Sequence, residues 1–128
     1  MNTKHHVSLK IAKQLAEAGI VIESEYVWCH GDLIPVINVI LETAGSEIYP
    51  APIATELLER LPAKIYSKAD DAWLRIEKIN NEYFSNYYSS DRDGDYAHYS
   101  YDEEPPYSKS IPDALALLLI RLTKDGLI

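Results

Sequence analysis

Two short turn signals, His30-Gly31-Asp32 and Asn80-Asn81, each lie between runs of strand-forming residues. Residues 25–29 and 33–39 flank the first; residues 73–79 and 82–88 flank the second. Connections this short join antiparallel neighbours, because parallel strands need a crossover of about a dozen residues or more. Asn tolerates the positive φ that a two-residue turn demands, so Asn80-Asn81 fits the role. Pro35 has no N–H for a ladder, which puts its strand at a sheet edge. Residues 64–66 read as a further short strand and residues 96–101 as a third strand of the second meander.

Period-2 alternation then sorts the second hairpin. With Asn80-Asn81 as the turn, Leu74, Ile76, Tyr83 and Tyr87 share one face, and Trp73, Arg75, Glu77, Phe84 and Tyr88 share the other. The first set is the expected core face; a slip of one residue reverses the assignment.

Three segments carry helical signals. Ser8 is placed to cap a helix in which Leu9, Ala12, Leu15 and Ala16 recur at helical spacing. Gly19 then supplies a left-handed end, with Ile20 folding back on Leu15. Pro52 suits the first turn of a shorter helix whose apolar side is Ile53, Leu57, Leu58 and Leu61, and Pro62 stops it. The last helix has Ser110 and Asp113 at capping-box spacing, Pro112 in its first turn and Gly126 at its end, with Leu127 set to pack on Leu122. Leu115, Leu118, Leu119 and Leu122 form its stripe. Leu117 and Ile120 widen that stripe, so the helix is either deeply buried or lends a second face to another chain.

The resulting order is α-β-β-α-β-β-β-β-α. Hairpins dominate, which predicts an α+β fold: an antiparallel sheet of hairpins and meander with about three helices packed mainly on one face. Residues 1–128 are the length of one domain, and no Gly/Ser linker or internal repeat divides them.

Composition narrows the function. Twelve Lys+Arg against 20 Asp+Glu give a net charge of −8, which disfavours direct binding to nucleic-acid phosphates. Arg60, Lys64 and Lys68 are the cations able to gather near one end, and three are few against twenty acids. The longest aliphatic run, residues 114–120, is far short of the ~20 residues of a membrane span. Cys29 is the only cysteine, so no intramolecular disulfide forms, and a lone thiol fits a reducing cytoplasm. No signal peptide is legible at the N-terminus.

Chemistry-bearing patterns are thin. Cys29 and His30 are neighbours in a strand-like run, where adjacent side chains point to opposite faces, so a packed Cys29 is expected rather than a nucleophile beside its base. His5 and His6 read as a frayed terminus. No histidine pair has the spacing of a helical metal site, and no second cysteine supports zinc. Around Asp91-Arg92-Asp93-Gly94-Asp95, a calcium-loop register puts Ser89 and Ser100 where the key carboxylates belong. No cofactor motif and no catalytic residue is assigned.

The most unusual region is 83–107. Seven of the ten tyrosines lie there, and six acids fall between residues 91 and 104 against one cation, Arg92. Tyrosine combines apolar area with a polar tip and is enriched at interfaces. The candidate interaction surface is therefore Tyr88, Asp91, Asp93, Asp95, Tyr96, Tyr99, Tyr101, Asp102, Glu103 and Glu104. Tyrosine is also a good strand former, so packing inside a sheet is the competing use.

Three stretches together carry a family likeness. Val7-Ser8-Leu9-Lys10-Ile11-Ala12-Lys13-Gln14-Leu15 with Ala18-Gly19-Ile20 is the first. Tyr49-Pro50-Ala51-Pro52 leading into Thr55-Glu56-Leu57-Leu58-Glu59-Arg60-Leu61-Pro62 is the second. The ending, Pro112-Asp113-Ala114-Leu115-Ala116, Leu118 through Leu122 and Asp125-Gly126-Leu127-Ile128, is the third. The chain thereby resembles small uncharacterised proteins encoded by bacteriophages and prophages. The resemblance implies a phage-derived protein acting in a bacterial cytoplasm, and it carries over no functional residue.

The leading expectation is a small non-enzymatic binding or accessory protein with a protein partner, which includes self-association as a homo-oligomer. One alternative is an acidic mimic that inhibits a host nucleic-acid-binding defence protein. Another is an enzyme whose site assembles only in the fold.

Overall fold

His30 and Gly31 form the whole connection between strands β1 (Tyr26–Cys29) and β2 (Asp32–Pro35), with Cys29 paired to Asp32. Both turn residues have positive φ, 52° and 84°, the geometry that matches a two-residue turn to the twist of its strands. Asn80 and Asn81, at 52° and 65°, do the same between β5 (Asp70–Ile79) and β6 (Glu82–Ser90). The structure, a computed structural model, describes residues 5–38, 48–67, 70–90, 97–101 and 104–128, with backbone alone for residues 38, 66, 67, 70, 89, 90 and 97–100.

The class is α+β, with antiparallel strands and three helices. The strands divide between two sheets rather than forming one. The first has the order β2-β1-β3, with β3 at Ile48–Pro50. The second runs β4 (Lys64–Ser67), β5, β6, β7 (Ala97–Ser100), and β8 (Tyr107–Ser108) also pairs with β6. Strands β3 and β8 have three and two residues, too few for a periodicity to show. Strand β2 is an edge and ends at Pro35. The chain then enters a short 3-10 turn, Val36–Asn38, instead of continuing as a strand, and the expected end at Val39 lies outside the described residues.

Helix α1 (Leu9–Glu17) is capped by Ser8, whose Oγ accepts from the Ile11 N–H. Gly19 takes φ 76° and the Ile20 N–H bonds to the Leu15 carbonyl, so the helix ends as its residues predict. Ala16, expected on the apolar stripe, is exposed; Ile11, Ala12 and Leu15 are the buried residues.

Helix α2 (Ala54–Arg60) starts later than Pro52 suggests. Pro52 precedes the cap residue Ile53, and Glu56 Oε1 reaches back to the Ile53 N–H at 2.9 Å. Leu58 faces solvent while Leu57 and Leu61 are buried.

Helix α3 (Ile111–Lys124) resolves the alternative posed by its wide stripe. Ala114, Leu115, Ala116, Leu118, Leu119, Ile120 and Leu122 are all buried within the one chain. It packs on α1, α2 and β6, and one apolar cluster joins all three helices to Ile65, Ala72 and Tyr87 of the second sheet. Trp28 and Tyr49 of the first sheet pack against the same cluster.

From His6 onward the chain is built in rather than frayed, while His5 is exposed. His6 is buried, with a backbone bridge to Ile53 and its Nδ1–H donated to the Ala51 carbonyl at 2.7 Å. Its ring lies against Tyr26, 5.0 Å between centroids. The Val7 N–H bonds to the Pro52 carbonyl, and the Trp28 indole N–H bonds to the Val7 carbonyl at 2.8 Å.

Candidate functional site

The hairpin β5–β6 has two faces with different fates. Its register pairs Leu74 with Tyr87, Ile76 with Ser85 and Trp73 with Tyr88, so the expected division of faces holds. The inner face packs on α3: Ala72, Ser85 and Tyr87 are fully buried, and Ser85 Oγ donates to the Ala114 carbonyl at 2.8 Å. The Tyr87 hydroxyl donates to the Pro62 carbonyl, and burial pushes its ionisation well above the usual tyrosine range. Ile76, expected in the core, is 38% exposed; it lies beyond Trp73, where the pairing of β4 with β5 ends.

The outer face carries Trp73, Arg75, Glu77, Ile79, Phe84, the buried Asn86 and Tyr88, extended by Lys64 opposite Trp73 and Tyr107 opposite Phe84. Trp73 is 55% exposed, Tyr107 58% and Ile79 49%. Cations lie over the rings: Lys64 Nζ is 5.3 Å from the Trp73 centroid, and the Arg75 guanidinium carbon is 5.4 Å from that of Tyr88. Acids hold the cations in turn, with Lys64 Nζ 3.5 Å from Asp71 and Arg75 Nε 3.6 Å from Glu77. Phe84 and Tyr107 stack with centroids 5.3 Å apart. At exposed sites such ion pairs and cation–π contacts contribute only ~0–1 kcal/mol each. Their effect is to restrain the exposed rings, which lowers the entropy lost when another surface covers them.

The tyrosine-rich region divides across the sheet. Tyr88 belongs to the outer face. Tyr101 does not: its ring meets Tyr87 edge-on at 6.4 Å, it packs against the core cluster, and its hydroxyl bonds to Asp125 of the α3 cap. Tyr99 is placed by backbone alone, within β7. Glu104 is exposed. Asp91, Asp93, Asp95, Tyr96, Asp102 and Glu103 lie outside the described residues, as does the calcium-like register around Gly94. The surface read from tyrosine and acid density does not include the outer-face residues Lys64, Trp73, Arg75, Ile79, Phe84 and Tyr107. Period-2 alternation had placed Trp73, Arg75 and Phe84 together, and that was the available signal.

Elsewhere, Cys29 is buried in the central strand of the first sheet, while His30 is exposed at the turn. Among the described residues no group of three or more His, Cys, Asp or Glu could hold a metal ion. Arg60 donates to the Val21 carbonyl, Lys64 pairs with Asp71, and Lys68 lies outside the described residues. No helix among the described residues is long and apolar enough to cross a membrane. No protein-family model, curated protein or solved structure matches the chain.

Proposed function

We propose that the chain is a small non-enzymatic binding protein acting through the outer face of β5–β6, and that a second copy of the chain is a partner this face fits. The observation that carries the reading is Trp73, more than half exposed on the outer face of β5 between Lys64 and Tyr88; Asn86, opposite Arg75 on the same face, is buried, so the exposed part of that face follows β5. Aromatic anchors ringed by polar groups are what protein interfaces concentrate. The charges on the face are of both signs, Lys64 and Arg75 beside Asp71 and Glu77. Under a two-fold axis such a patch offers each cation an acid on the other copy. The overall charge of −8 opposes the pairing, so the association is weak and strengthens with salt.

Sedimentation at rising protein concentration tests this. A dimer that tightens with salt and is lost in Trp73→Ser supports the reading. A wild-type chain that stays strictly monomeric at millimolar concentration, in low and high salt, refutes it. A phage-derived accessory role in a bacterial cytoplasm is the setting we propose, and it rests on the sequence resemblance alone.

A further inference from the structure

A cleft of about 520 Å³ opens where the starts of α2 and α3 meet the hairpin β5–β6. Its apolar wall is Ile53, Ala54, Ile111 and Pro112. Its polar side is Lys109, His5, Tyr83 and the hydroxyls of Thr55 and Ser110. The volume is within the ~300–1,000 Å³ typical of small-molecule pockets, and a mostly apolar wall with a few convergent polar groups is their usual make-up.

The sign of this lining runs against the rest of the chain. Acids outnumber Lys+Arg 20 to 12 overall, yet among the described residues no carboxylate lines the cleft, and the permanent charge in that lining is Lys109. Glu56 and Asp113 stand in the first turns of the two helices that wall it, and both are turned to other work. Glu56 Oε1 accepts from the Ile53 N–H and from Ser24 Oγ at 3.0 Å. Asp113 Oδ1 accepts from the Ser8 N–H at 2.7 Å. Lys78 Nζ is 5.5 Å from the Tyr83 centroid and does not itself line the cleft. His5 has an N–H to donate in either protonation state.

The geometry points to a binding site for a small monocarboxylate with an aromatic or aliphatic body. The body fills the apolar wall beside Ile53 and Ile111 and lies against Tyr83. The carboxylate meets Lys109, with Ser110, Thr55 and His5 as hydrogen-bond donors. Among the described lining residues Lys109 is the permanent cation, which matches a single negative charge better than the two of a phosphate monoester in an apolar cleft.

The test is an amide NMR titration of the full chain with phenylacetate, against its neutral isostere phenylacetamide and inorganic phosphate. The expected result is saturable shifts at Thr55, Tyr83, Lys109 and Ile111, with phenylacetamide and phosphate each at least tenfold weaker. Lys109→Glu, at an exposed position, is expected to lose phenylacetate affinity at least tenfold while keeping its thermal midpoint. No saturable shift at these amides up to 20 millimolar phenylacetate (about the weakest binding of interest) overturns the site. Equal response to phenylacetamide, or unchanged affinity in Lys109→Glu, overturns the carboxylate assignment. Shifts confined to the Trp73 face would be binding elsewhere and count against the cleft.

Discussion

The carboxylate of Asp113, in the first turn of the last helix, accepts the backbone N–H of Ser8, 105 residues earlier, at 2.7 Å. Ser8 is itself the cap of α1, whose first turn contains no acid. One carboxylate therefore serves the starts of two helices, and anions are favourable at both. The reciprocal half of the capping box is given up: the Ser110 N–H bonds to Ser108 Oγ at 3.2 Å instead, while Ser110 Oγ still accepts from the Asp113 N–H.

Burial raises the Asp113 pKa above its ordinary 3.8, and the hydrogen bonds from Ser8 only partly oppose the shift. A raised carboxyl pKa means that the folded state holds its proton longer than the unfolded chain does. Stability therefore falls, relative to a neutral side chain, as pH rises from about 3.8 through the higher folded value. Asp113→Asn keeps an oxygen for Ser8 and has no charge to desolvate. The stability difference, variant minus wild type, is expected to grow between pH 3 and pH 7 in urea titrations. Asp113→Leu removes the acceptor and is expected to cost about 1–2 kcal/mol.

Tyr87→Phe keeps the packing of the ring and deletes the hydroxyl that bonds to the Pro62 carbonyl. We expect a loss of about 1 kcal/mol at neutral pH, from a part-buried acceptor left without that donor. The folded state also holds the phenol proton far more tightly than the unfolded chain does. Wild-type stability therefore falls as pH rises through 10, the ordinary tyrosine value, and the gap to Tyr87→Phe narrows there. Denaturant midpoints at pH 7 and pH 10.5 check both statements.

His6→Ala is expected to lower stability by about 2–3 kcal/mol, since it removes a buried ring together with its bond to the Ala51 carbonyl. A frayed residue would cost almost nothing, so a urea melt separates the two states of the terminus.

At Asn81, φ is 65°. Asn81→Gly relieves the left-handed strain and is expected to stabilise by a few tenths of a kcal/mol, up to about 1. Asn81→Val, β-branched at the same angle, is expected to destabilise by about 1–2 kcal/mol. Paired thermal melts give both signs.

What was legible in the sequence is what short-range chemistry decides. Ser8 and Gly19 bracket α1, and Ser110 and Gly126 bracket α3, because caps act within a turn of their own helix. The Asn80-Asn81 turn set the hairpin register, and with it the separation of Trp73 from Leu74. Contacts between distant segments were not legible. Nothing local marks His6 as the partner of Ala51, or diverts Asp113 from its own cap to Ser8. Nor does local pattern divide the strands between two sheets, since β3 has only three residues and gains its identity from pairing with β1. The candidate surface was half legible for the same reason. Alternation put Tyr88 beside Trp73, but chain density of tyrosine drew in Tyr101, whose ring the fold spends against Tyr87.

The most direct test of the outer-face account uses the two tryptophans together. Trp28 is tied to the Val7 carbonyl and packs on the core, whereas Trp73 stands exposed on β5. In protein labelled with 5-fluorotryptophan they give two fluorine resonances, assigned with Trp73→Phe. The account predicts that the Trp73 resonance moves with protein concentration and salt while the Trp28 resonance stays fixed. A Trp73 resonance that stays at one frequency while the protein associates would contradict it.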